Sequence, residues 1–391
     1  MKTRTRLVIL TVVCFLPAYA VYAPIPEQEQ GKALSFRLGA SFSHDSNIFG
    51  AATGAISSMV YNVSPGVSFN SSVTEQTFLS LSYDLSIDHI VDRPGSKDLP
   101  SHTLMARIAH QFSQSTNIDL TDGYMISRNP QSLLNGIPLN TDQSFKRNEF
   151  DGRYSTNLGA KTDLVVKYRN IDISYDNPLL GASLNHMEQL AGVEANFAYL
   201  PETKLAGEYR YQDITYGTDG ANKNKRSNFL LAGADYSPGE QLVTTARFGA
   251  EFRSRESERS ATAPYAELSA RYTYNPGSFL SAGYNYTYEE PSDLVRFTDE
   301  KVNRFFVNLQ HRLSALFTAS GSIDYEPSVL QGRRTFANLN ETTTRFGLGL
   351  SWLPDKNWTV SGTYDLDKVN SDDPSRDQNR NRYGVSARIS F

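Results

Sequence analysis

One cysteine stands in 391 residues, Cys14. A chain that poor in sulfur has no disulfide framework, no cysteine-ligated metal site and no thiolate chemistry. Long apolar runs are missing too: the best, Leu7 to Pro17, falls short of the ~20 residues a spanning helix needs. If the protein lives in a membrane, it crosses as strands. Histidine is sparse and scattered, at His44, His89, His102, His110, His186 and His311, and none has a nucleophile at a catalytic spacing. No metal-ligand spacing, phosphate-binding glycine loop or nucleotide motif occurs, so no enzyme, cofactor or metal centre is expected. Positive charge is not in excess either, since the net charge is −4 with a basic leader included, which speaks against a nucleic-acid partner.

What is present begins with that leader. Lys2, Arg4 and Arg6 precede the Leu7–Pro17 run and two small-residue sites, Ala18-Tyr19-Ala20 and Val21-Tyr22-Ala23, which is the pattern of a cleaved signal peptide. The reading divides the chain into a signal peptide at 1–23, a short periplasmic segment at 24–33 and a β-barrel at 34–391. The expected location is the outer membrane of a Gram-negative cell.

The last nine residues, Tyr383 to Phe391, alternate without fault, with Tyr383, Val385, Ala387, Ile389 and Phe391 on one face and Gly384, Ser386, Arg388 and Ser390 on the other. One face suits lipid and the other water. The same period-two pattern starts at Leu34 and returns at about eighteen places, with sixteen strands as the alternative count. Most of these segments are near the ~9–11 residues that cross a bilayer at a tilt. Short connections such as Ser237 to Glu240 alternate with long polar ones such as Asp172 to His186, as expected of an antiparallel up-and-down barrel with short periplasmic turns. Asn170 to Tyr175 slips phase after Tyr168, which is read as a bulge or as an extension above the membrane.

Tyr272, Tyr274, Tyr284, Tyr286, Tyr288, Trp352, Trp358 and Tyr364 fall on the lipid face at or near segment ends, where rings favour the membrane boundary. The inner face carries many charges of both signs. Charge costs about 2–4 kcal/mol at the midplane of the lipid face, so these residues line water or pair inside. The candidate pore-lining set is Arg247, Arg271, Arg304, Arg345 and Arg388 with Asp84, Asp88 and Asp119. Two arrangements fit it: salt-bridge ladders along the wall, or a cationic wall facing an acidic one that would orient dipolar or anionic solutes. Inward Gly233, Gly249, Gly283, Gly347 and Gly349 are expected to leave room. In the loops, Lys223, Lys225 and Arg226 form a candidate surface contact.

The first hairpin reads Gly39-Ala-Ser-Phe-Ser-His-Asp-Ser-Asn-Ile-Phe49. Over Asp45, Ser46, Asn47 and Ile48 it resembles the opening of the beta-barrel porin 2 family, in which a first strand runs into an Asp-x-Asn-Ile turn. The resemblance implies a monomeric outer-membrane barrel associated with exopolysaccharide or capsule export, working with a periplasmic polysaccharide-export protein. The expected function is therefore an outer-membrane channel, with polysaccharide conduit, general or sugar-selective diffusion porin, and non-conducting barrel with ligand-binding loops as the three forms. Expected partners are outer-membrane lipid and lipopolysaccharide, the barrel assembly machinery, and a polysaccharide or small solute as cargo.

Overall fold

The computed structural model describes residues 33–391, apart from 131–141, 218–222, 256–257, 292, 294–295 and 334. The signal peptide and all but the end of the 24–33 segment lie outside the described residues. Eighteen strands follow one another: β1 (Leu34–Asp45), β2 (Ser58–Thr74), β3 (Thr77–Ile90), β4 (Asp98–Ser113), β5 (Thr116–Ser127), β6 (Phe145–Asn157), β7 (Thr162–Tyr175), β8 (His186–Leu200) and β9 (Thr203–Tyr216). The second half is β10 (Lys225–Tyr236), β11 (Leu242–Arg255), β12 (Glu258–Asn275), β13 (Ser278–Glu289), β14 (Phe297–Arg312), β15 (Phe317–Gly332), β16 (Leu339–Trp352), β17 (Trp358–Ser371) and β18 (Gln378–Ser390). The one α-helix among the described residues, α1 (Pro178–Leu184), lies in the β7–β8 connection.

Each strand pairs antiparallel with the next, and β1 pairs with β18 from Arg37↔Ser390 to Asp45↔Arg382. The sheet is thus a closed barrel with no free edge, the arrangement that satisfies every strand's backbone inside a bilayer. The start of β1, the end of β18 and the short connections share one end, the turn end. The long connections share the other, the loop end.

Alternation turns apolar side chains outward. Phe36, Leu38, Phe42, Val63, Leu348 and Val385 are exposed, while Asp45, Asp119, Lys167, Glu208, Arg210 and Arg380 are buried. That is a soluble protein inverted, and it requires an apolar solvent outside the wall. Towards the loop end the outward row changes character at a ring of tyrosines whose hydroxyls donate to, or share a proton with, polar groups one step higher. Tyr209 bonds Asn228 (2.7 Å), Tyr284 bonds Asn303 (2.9 Å), Tyr364 bonds Asn381 (2.8 Å) and Tyr83 meets His102 (2.9 Å). A ring that is apolar below and hydrogen-bonded above marks the edge of the apolar band. At the turn end, Phe317 stacks on Trp352 (6.5 Å between centroids) in the corresponding position.

The strands run 12 to 18 residues, longer than a bilayer crossing requires. The excess lies above the tyrosine ring. Asn170 to Tyr175 belongs to it: β7 runs unbroken and in register with β6 and β8, so the phase slip is an extension and no bulge. Its pattern changes because the outward positions there, Asn170 and Asp172, no longer face lipid.

The barrel interior as candidate functional site

Inside, most cations have found acids. Arg37 of β1 reaches Asp84 of β3 with one Nη 2.9 Å from both carboxylate oxygens, crossing over Gly66 of β2. A Cβ on Gly66 would lie 2.2 Å from that carboxylate, so glycine is what opens the path. Arg107 and Asp119 form a two-pronged pair across β4 and β5 (Nε–Oδ1 2.9 Å, Nη2–Oδ2 2.5 Å). Lys167 of β7 lies between Glu194 of β8 (2.5 Å) and Glu208 of β9 (3.0 Å), and Arg210 closes on Glu208 (2.6 Å). Beside this buried group Phe229, Leu231 and Tyr265 pack together on the inner face, and the Tyr265 hydroxyl donates to Glu267 (2.9 Å).

The eight pore-lining candidates all fall on inner rows but do not form two opposed walls. Arg247 pairs locally with Asp235 (2.7 Å), and Arg304 bridges Glu326 (2.5 Å) and Glu289 (3.1 Å). Asp84 and Asp119 are taken by Arg37 and Arg107, while Asp88 accepts from Asn62 (2.7 Å) and Asn129 (3.2 Å). Arg345 faces Asp324 and Asp367 in register, yet neither closes to an ion pair. Arg271 lies over the Phe279 ring (3.7 Å), and Arg388 has no acid partner among the described residues. Pairing wins because an acid one or two strands away in register is closer than any residue across the lumen.

The glycines open less room than expected. A Cβ on Gly249 would meet the Leu230 carbonyl oxygen at 1.9 Å, so its space belongs to the neighbouring strand's backbone. The freer wall runs from β15 through β18 to β1, where Ser320, Ser322, Ser351, Ser361, Thr363 and Ser386 present small hydroxylated side chains.

The loop end is narrowed by segments folded against the inner rows. Leu180 and Leu184 of α1 pack on Ile214 and Tyr216 of β9, with Tyr175 alongside. Asn177 caps the helix by accepting from the Leu179 N–H (2.9 Å). Lys223 donates to the Ser183 carbonyl (2.8 Å) and lies 5.3 Å from the Tyr216 ring. Burial, aided by the nearby Arg333 charge, lowers its amine to about 8. Of the three cations expected as a surface contact, Lys223 and Lys225 are therefore buried, and only Arg226 faces out. Glu290 accepts from Arg255 (2.8 Å) and lies 3.2 Å from Lys225; burial alone would raise its carboxyl, and these cations bring it below the usual range. A 3-10 turn at Pro374–Arg376 places Arg376 on Glu341 (2.9 Å). Arg296 donates to Asp373 (2.8 Å), a bond that, with help from Ser375, holds that exposed carboxyl down at about 2.

The Asp45-Ser46-Asn47-Ile48 motif proves to be a fastener. Asp45 pairs with Arg380, Asn47 donates to the Ala51 carbonyl (2.8 Å) and accepts from the Ala51 N–H (2.9 Å), and Ser46 exchanges bonds with Asn381 of β18 (2.9 and 2.8 Å). Ile48 then drops into an apolar group with Val60, Ile90 and Leu99 on the inner face. Apolar residues inside polar loops, Ile48 and the Leu179–Leu184 stretch, were the sequence signal for inward folding.

Among the outward-facing histidines, His110 meets Thr77 (2.8 Å) and His311 stacks on Tyr274, both at the turn end. Among the described residues no group of three His, Cys, Asp or Glu is arranged to hold a metal ion.

These features define a closed, eighteen-stranded antiparallel barrel of the outer-membrane type. Solved structures match its course at low identity. OccAB3 of Acinetobacter baumannii is 11% identical with a TM-score of 0.48 over 92% of this chain and 99% of that one. The siderophore receptor PirA of Pseudomonas aeruginosa is 11% identical at 0.45, covering 90% and 80%. A bacterial polysaccharide outer membrane secretin is 8% identical at 0.37, covering 91% and 98%. No family model and no curated protein matches the sequence.

Proposed function

We propose that the chain is an outer-membrane channel, a water-filled conduit for hydrophilic solutes, with its turn end in the periplasm. The observation that carries this is the two-sided wall: an outward apolar band bounded by hydrogen-bonded tyrosines, and an inward face of ion pairs and serines. Eighteen strands enclose a lumen wider than side chains fill by themselves. Short turns belong on the periplasmic side of such barrels.

Within this reading the cargo we favour is hydroxylated and sugar-like, and polysaccharide export with a periplasmic partner is the form the first-hairpin resemblance implies. The serine-rich arc supports it, because it offers donors and acceptors without bulk. The inward-folded loop segments support a passage that is narrow at rest. A barrel whose outer loops bind a ligand is the second reading, and the burial of Lys223 and Lys225 weighs against it.

The test is single-channel conductance of the refolded protein in a planar bilayer, with neutral oligosaccharides of increasing length added. Open steps blocked by the sugar support the conduit. Permanent silence from a demonstrably closed barrel overturns it.

A further inference from the structure

The inner wall is not charged evenly along its length. Above the midpoint almost every arginine has a carboxylate at 2.5–3.0 Å, as Arg253 has Asp299, Arg376 has Glu341 and Arg382 has Asp367. At the turn end Arg153 of β6 is left beside Asp119 without an ion pair, and on the other side of the ring the pattern fails more widely. Arg271 of β12, Arg312 of β14 and Arg388 of β18 lie on inner rows within five residues of their strands' ends and make no ion pair among the described residues. Arg271 rests on the Phe279 ring, and Arg312 donates only to the Ser314 carbonyl (3.2 Å).

Among the described residues the same arc has no inward acid at their level. From β12 round the ring to β2, the inner positions nearest the turn end are serine, threonine, asparagine, glutamine, glycine or phenylalanine, besides these arginines and Arg37. Glu267, Asp324 and Asp365 are the first inward acids on their strands, each further up. In the described turns of this arc only Glu75 and Asp355 carry negative charge. Asp355 is engaged in its own turn, accepting from the Asn357 and Trp358 N–H groups (2.7 and 3.1 Å).

Guanidinium stays charged at every accessible pH and matches carboxylate and phosphate through its planar fork. Arg271 is level with Asn308 of β14, so Arg312 stands two strands over and four residues nearer the turn end, roughly 17 Å away at about 4.8 Å between strands and 3.4 Å per residue. A rim where positive charge prevails among the described residues, over low-dielectric walls, concentrates anions at the opening. It also borders the hydroxylated arc of Ser351, Ser361 and Ser386.

We propose that this mouth is an anion-capture site: Arg271, Arg312 and Arg388 collect carboxylate- or phosphate-bearing solutes from the turn-end side and make the channel anion-selective. The proposal rests on the channel reading above and deepens it by naming the solute class and the side of entry.

The test compares the wild-type barrel with R271S/R312S/R388S in planar bilayers under a potassium chloride gradient. Loop-end R226S serves as control, and orientation is fixed by protease accessibility of the loops. The wild type is expected to prefer chloride, and trigalacturonate is expected to block it at lower concentration from the turn-end side. The triple variant should lose the preference, and its half-blocking concentration should rise about tenfold, the equivalent of 1.4 kcal/mol. A conducting wild type that prefers potassium, or a variant with unchanged selectivity, overturns the proposal and leaves the channel standing. If the bilayer stays silent, the channel reading fails, and trigalacturonate binding in detergent decides the capture site: binding to wild type and not to the variant upholds it, equal binding removes it.

Discussion

Asp45 and Arg380 meet across the seam of the barrel, Nε 3.1 and 3.0 Å from the two carboxylate oxygens and Nη2 2.5 Å from Oδ2, with both side chains almost fully buried. They are 335 positions apart, on the first strand and the last. Removing one partner strands a buried charge, which costs about 3–5 kcal/mol in comparable sites. Asp45→Asn should therefore lower the denaturant midpoint of the folded band on unheated gels far more than Asp84→Asn. The Arg37–Asp84 pair is half-exposed and sits in the solvated lumen. Equal midpoints would show that the seam does not depend on this pair.

The apolar band makes a depth-dependent prediction. Val307 points outward between the Phe305–Tyr325 ring pair and the Tyr274–His311 pair, and Gln189 points outward above the tyrosine ring, opposite Asp213. Val307→Arg should cost about 2–4 kcal/mol in lipid and Gln189→Arg about 0–1. Equilibrium refolding into vesicles reads both. Similar costs would mean that the bilayer sits elsewhere on the wall.

Helix α1 is held inward by two leucines. Leu184→Ser removes its anchor on Ile214 and Tyr216 and should raise single-channel conductance while leaving the heat-modifiable barrel intact. Unchanged conductance would place the narrowest point elsewhere.

Two loop-end groups set pH responses of the same sign in two separate windows. Asp373 is held near 2, below its ordinary carboxylate value of 3.8, so the link to Arg296 contributes fully above about pH 4 and is lost as pH falls through 2. Lys223 is depressed to about 8 from 10.5, so the unfolded segment binds more protons between those values. The packing around it should therefore tighten as pH rises from about 8 to 10.5. Limited proteolysis of the loop end across both windows, with Asp373→Asn and Lys223→Met as references, reads the two effects separately. A pH response that survives in the variants would assign it to other groups.

The strands were legible because lipid on one side and water on the other enforce a period of two, as in Tyr383 to Phe391. Their loop-end limits were not, because above Tyr209 and Tyr364 the outward row meets water and the contrast fades. Pairing partners were hidden for another reason. Arg37 chooses Asp84 two strands away, and that choice depends on a glycine between them and on a register that exists only once the sheet is closed. The four residues Asp45 to Ile48 stood out by resemblance, yet their role at the seam needs Arg380 and Asn381, which nothing local to the motif announces.

The length of the strands above the tyrosine ring has a consequence for whatever meets this protein from outside. In the proposed channel the wall continues past the lipid as a stiff collar, with α1 and Ile48 packed inside it. A phage, antibody or toxin approaching it finds residues from neighbouring strands held side by side, such as Gln189 and Asp213, rather than pliant tails. Such an epitope is conformational: it is assembled by the barrel and scattered by boiling, so binders raised against the native collar should fail on the denatured chain.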